Sequence, residues 1–104
     1  MLFVATHTHT PETCPADDPA AVHQLAREEH AKESGVKVLG SYVAPPEHVL
    51  YFILDSKDSA SVVRFFRPLM KVGVTRVTPV QTLQESTGIF PLKSRGRGRR
   101  RARA

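Results

Sequence analysis

A single cysteine, Cys14, stands in this chain of 104 residues, so no internal disulfide can close and stability has to come from packing or association. No hydrophobic run nears the ~18 residues that span a bilayer. The opening MLFVATHTH has neither a basic n-region nor an apolar h-region of useful length. These absences predict a soluble, cytoplasmic protein without a membrane partner. Also missing are a glycine-rich phosphate loop, a G-x-S-x-G elbow and a C-x-x-C pair. That removes the usual signatures of nucleotide binding, serine hydrolysis and dithiol redox chemistry.

Acidic residues are missing from one region only. Residues 93–104 hold seven of the fifteen basic residues and no acid, so the net charge of +5 is concentrated there and residues 1–92 carry −2. The length supports one domain with a modest core. We therefore expect a folded domain over residues 1–91 and a disordered basic tail over 92–104. Such a tail would make weak, salt-sensitive, non-specific contacts with nucleic acid through residues 93–104. It has no aromatics to stack on bases, and an incidental extension accounts for it equally simply.

Leu2 to Thr8 reads as a first strand, apolar on both faces at its start, as a central strand should be. The proline-rich stretch Thr10 to Pro19 is a loop. Asp18 before Pro19 is an N-cap followed by an N1 proline, and the spacing predicts one helix to about Ser34, stopped by Gly35. Its stripe of Val22, Leu25, Ala26 and Glu29 is narrow. Val36 to Val43 and His48 to Leu54 form a second and a third strand around the turn Ala44 to Glu47. A second helix begins near Ser59 and buries Val62, Phe65, Phe66 and Leu69. Pro68 should break it, leaving the Arg64 carbonyl without its helical partner. Val74 to Val80 is a fourth strand, at an edge because of Pro79, and Thr82 to Gly88 forms one more helical turn.

This order, β-α-β-β-α-β in about ninety residues, is the ferredoxin-like arrangement. The fold class is α+β, a four-stranded antiparallel sheet in the order 4-1-3-2 with two helices on one face. Residues 1 to about 90 resemble, in element order and size, the small dimeric α/β-barrel proteins. That group includes small monooxygenases, haem-degrading enzymes, muconolactone-isomerase-like proteins and many members of unknown function. The resemblance implies a homodimer with packed sheet faces and a pocket near the sheet. It assigns no reaction.

The most suggestive stretch is Thr6 to Pro15, THTHTPETCP. Alternate strand residues share a face, so His7 and His9 project together, about 6.6 Å apart, with Cys14 within loop reach. The strand order brings His48 and Glu47 to the same rim. Neutral imidazoles and a thiolate suit zinc, nickel, copper or iron. His7, His9 and His48 would supply three nitrogens and Cys14 or Glu47 a fourth ligand. The plainer alternative is that both strand-end histidines are polar residues facing solvent. His23 should be exposed and His30 a half-buried packing residue. Tyr42 and Tyr51 read as core residues with tethered hydroxyls or as pocket walls. Arg64, Arg67, Lys71 and Arg76 form an anion site or a solvated basic edge.

Three functional readings follow, in order. The first is a homodimer with a metal or small-ligand site at this rim. The second is a non-catalytic structural or partner-binding dimer, and the third a polyanion binder acting through the tail.

Overall fold

A computed structural model describes residues 1–14, 19–90 and 92. Residues 93–104 of the expected tail and the Asp18 cap lie outside the described residues. Four strands, β1 (Leu2–Thr8), β2 (Val36–Ala44), β3 (Val49–Ser56) and β4 (Val74–Val80), pair antiparallel in the order β2-β3-β1-β4, which is 4-1-3-2 read from the other edge. Helices α1 (Ala20–Leu25), α2 (Glu28–Ser34), α3 (Ser59–Phe66) and α4 (Leu83–Ser86) complete the described residues. The α+β ferredoxin-like expectation holds.

Alternation along the strands decides the layers. Phe3, Ala5 and His7 of β1 and Leu50, Phe52 and Leu54 of β3 are buried on one face and meet α3 there. Asp58 caps α3 by accepting from the Ser61 N–H at 2.9 Å, and Val62, Phe65, Phe66 and Leu69 are buried as the helical spacing predicts. Phe52, Phe65 and Phe66 stack edge to face with centroids 5.0 to 5.7 Å apart, the geometry that aromatic quadrupoles favour.

Pro68 ends α3 as expected, and the chain tightens into a 3-10 turn over Arg67–Leu69. The Arg64 carbonyl is not left bare, because the Arg67 N–H donates to it. The Phe65 carbonyl accepts from His30 Nε2 at 2.7 Å. His30 is thus a satisfied core histidine, more buried than expected.

The first helix differs from expectation. It breaks at Arg27, whose backbone is extended at φ −85°, ψ 136°. Leu25, His30, Ala31 and Ser34 are the residues that α1 and α2 bury. In one continuous helix, Leu25 and His30 would point about 140° apart. The break re-phases the second half so that both reach the core, and Ala26 and Glu29 become exposed. Gly35 stops α2 as predicted, at φ 85°.

Two strand boundaries also move. The third strand starts at Val49 and runs on to Ser56, which pairs with Val36. His48 stands outside it in a left-handed conformation. The core reading of the tyrosines fails, because Tyr42 and Tyr51 are cross-strand partners on the opposite, open face of the sheet, 63% and 38% exposed; the pocket-wall reading holds for Tyr42, which borders a cavity beside α1. The four basic residues do not converge either. Arg64 donates to the Ser34 carbonyl and Ser61 Oγ, while the register puts Arg76 on the open face opposite Thr6.

Candidate metal centre

β1 leaves the sheet at the rim where β3 and β4 begin. Its ladder with β3 reaches Thr8–Val49 and continues one step further, the His9 N–H donating to the His48 carbonyl at 3.1 Å. That bond sets His9 directly across from His48, and their rings meet edge to face at 5.2 Å. His48 holds φ 58°, ψ 45° after the 3-10 turn Pro45–Glu47. This is an uncommon state for a side-chain-bearing residue, and histidine tolerates it better than most.

Cys14 returns to these histidines through a second 3-10 turn. Thr10 and Thr13 form a reciprocal capping box around Pro11–Thr13, which folds the chain back instead of letting it run on. One ligand atom each from His9, Cys14 and His48 lies within 4.8 Å of the other two.

His7 stands one step behind. Its register partners are Leu50 on β3 and Thr75 on β4. It is fully buried, with Nδ1 hydrogen-bonded to Thr75 Oγ1 at 3.0 Å and its ring 5.6 Å from that of His9. Glu47 is exposed in its turn and stays outside the cluster. The structure therefore gathers His9, Cys14 and His48, holds His7 beside them and leaves Glu47 out. His23 is exposed, as expected.

The histidines do not face solvent. His7 and His9 lie on the helix-covered side, 0% and 8% exposed, whereas Thr6 and Thr8 alternate to the open face. Three buried imidazole nitrogens, His7 Nε2, His9 Nδ1 and His48 Nδ1, have no hydrogen-bond partner. Each such atom costs about 1–3 kcal/mol unless something satisfies it. Burial lowers the His7 pKa from its ordinary value and the neighbouring His9 adds to the effect. Burial, then His48, does the same for His9. Both rings are thus held neutral, the form that ligates metal.

A pH dependence follows. Between their lowered native values and the ordinary value of 6.5, His7 and His9 bind fewer protons folded than unfolded, so stability rises with pH across that window. Metal-free protein should keep its full stability above about pH 6.5 and lose up to about 1.4 kcal/mol per pH unit for each histidine as the pH falls below it. Urea midpoints measured from pH 8 to pH 5 in chelator check this, and a flat profile rejects it.

Sequence reasoning missed two residues of this region. Thr75 could have been found from the register, since a β4 running antiparallel to β1 must set some residue opposite His7. Gly73, in the turn before β4, has φ 77°, and a Cβ there would fall on the Thr8 carbonyl and within 3.0 Å of His9 Cα and Cβ. Backbone therefore packs directly behind His9.

A family described as a domain of unknown function, DUF3303, matches residues 1–91, and the chain belongs to that family. No curated protein matches it. No helix among the described residues is long and apolar enough to cross a membrane.

Proposed function

We propose that this DUF3303 chain binds a transition metal ion through His9, Cys14 and His48. The observation that carries the reading is the convergence of two imidazoles and a thiol within 4.8 Å at a site holding buried, unpartnered ring nitrogens. Ligand atoms around a tetrahedral zinc stand about 3.4 Å apart, and these lie within 4.8 Å of one another, so the set has to close by at most about 1.4 Å. Cys14 is half-buried on a loop, where such a movement disturbs little. A nitrogen and sulfur donor set suits zinc, copper, nickel or iron(II) over magnesium or calcium. Three protein ligands leave a fourth position open, the arrangement of sites that bind a small ligand or water as well as the metal. Elemental analysis of the untagged protein tests the reading. About one metal per chain supports it, and neither bound metal nor uptake of added zinc, cobalt or copper would sink it.

The chain also pairs with a second copy through its open sheet face, in this reading. Val4, Tyr42, Tyr51 and Ile53 share that face by register, each at least 36% exposed, and an apolar patch of this kind marks an interaction site more often than plain solvent surface. Ile53→Lys places a charge at its centre and should weaken dimerisation by about 100-fold, seen as a shift to monomer in light scattering. A parent that is monomeric at high concentration rejects the pairing. Polyanion contact through residues 93–104 rests on their charge alone. Deleting them should abolish binding to DNA at low salt, and unchanged binding excludes it.

A further inference from the structure

His7 is left out of the ligand set although it is fully buried beside it. Its Nδ1 is bonded to Thr75 Oγ1 at 3.0 Å, and its Nε2 has no partner. Thr75 belongs to β4, on one flank of β1, whereas His48 stands across from His9 on the other. The bond to Thr75 turns Nδ1 toward β4, so Nε2, across the ring, turns away from β4. The ring packs 5.6 Å from that of His9. An unsatisfied nitrogen thus lies next to the ligand set, on a histidine whose other nitrogen is tethered. Tethering of that kind fixes the orientation of histidines at metal centres.

Distance decides whether His7 is a ligand or a neighbour. No His7 nitrogen lies within 4.8 Å of all three ligand atoms of His9, Cys14 and His48. Nor can His7 close that gap as Cys14 can. At this residue β1 is laddered to β3 through Leu50 and to β4 through Thr75, and the Thr75 hydroxyl holds the buried ring back. One water molecule spans such a gap. With about 2.1 Å from ion to oxygen and about 2.9 Å from oxygen to nitrogen, a near-tetrahedral angle puts the nitrogen about 4 Å from the ion. The bond forms in either His7 tautomer, because a threonine hydroxyl and a water each donate or accept. Solvent reaches the position past Cys14 and His48, which are only half-buried.

We infer that the open coordination position holds a water molecule anchored by His7 Nε2. His7 is then a positioning residue of the centre and not one of its ligands. It favours an occupant that can hydrogen-bond through its coordinating atom, as water can, over an anion that cannot. This inference rests on the metal reading and adds to it the occupant of the fourth position.

The full-length protein, loaded with an NMR-active cadmium isotope and separately with cobalt, provides the test. One ring nitrogen each of His9 and His48 should show scalar coupling to cadmium, and His7 none. Thiocyanate coordinates through a nitrogen with no proton to donate and no free lone pair. It displaces the water without replacing the bond to His7, and such a loss weakens binding. His7→Leu has no bond to lose. It should take up one cobalt per chain and bind thiocyanate about fivefold or more tightly than the parent, read from the visible spectrum. His7→Gln, whose amide reaches the Nε2 position, should return to the parent affinity, a rescue that a purely packing role would not give. Thr75→Val frees the ring with little change of volume and should shift the affinity in the same direction as His7→Leu. If His7→Leu fails to fold, Thr75→Val carries the comparison. Cadmium coupling to His7 overturns the inference, because His7 is then a ligand. Equal thiocyanate affinities in the parent and the folded variants also overturn it and leave the metal reading standing. A parent that takes up neither cadmium nor cobalt sinks the metal reading, and this inference with it.

Discussion

Protein carrying His9→Ala or Cys14→Ser should lose zinc or cobalt affinity by more than about 100-fold, beyond the 10–100-fold typical of residues that only support ligands. The informative comparison is of stability with and without metal. In chelator, His9→Ala removes the packing of a ring that touches His7 and His48. It also removes a buried nitrogen without a partner, whose presence costs about 1–3 kcal/mol. These effects oppose each other, so metal-free variant and parent should unfold within about 1 kcal/mol of one another. With metal at about 1,000 times its dissociation constant the parent gains about 4 kcal/mol, less whatever the unfolded chain binds, and the variant gains almost none. Urea unfolding in chelator and in excess zinc separates the cases. Equal metal responses in parent and both variants would eliminate the site, because a purely structural role for His9 predicts a loss that does not depend on metal.

The element order was legible because the signals that set it are local. Gly35 stops a helix, Pro68 breaks one, and alternation identifies the strands without reference to distant residues. The break at Arg27 was not legible, since it answers a tertiary demand. Leu25 and His30 both face the core, and nothing in residues 19 to 34 announces that their phases must be reconciled. The site was half legible for a related reason. Strand alternation pairs His7 with His9, but LFVA is apolar at every position, so the sequence gives no parity to say which side the helices cover. The plainer expectation of solvent-facing histidines failed at that point. The choice of Cys14 over Glu47 depends on the turn that Thr10 and Thr13 close. The spacing T-P-E-T shows that turn only to a reader expecting threonine where a capping box ordinarily carries glutamate or glutamine.

Gly73→Ala is expected to be among the most damaging single changes at this rim, and for a reason that reaches the metal centre. Two costs add. A left-handed backbone at φ 77° costs alanine about 1–2 kcal/mol relative to glycine. The new Cβ must also displace the Thr8 carbonyl and the His9 Cα and Cβ. β1 cannot yield easily, since it is hydrogen-bonded to β3 on one side and β4 on the other. We expect a total loss of about 3–4 kcal/mol, with metal uptake reduced as His9 is pushed away from His48. Gly35→Ala is the control. It carries the same backbone penalty at φ 85°, but its Cβ meets the Ser61 side chain at 3.1 Å, far from the rim. It should lose only about 1–2 kcal/mol and bind cobalt as the parent does. Equal losses in the two variants would show that the turn before β4 gives way, and that Gly73 is required for its backbone angle and not for its closeness to His9. A larger loss at Gly73, accompanied by weaker cobalt binding, makes that turn the backing on which His9 is set.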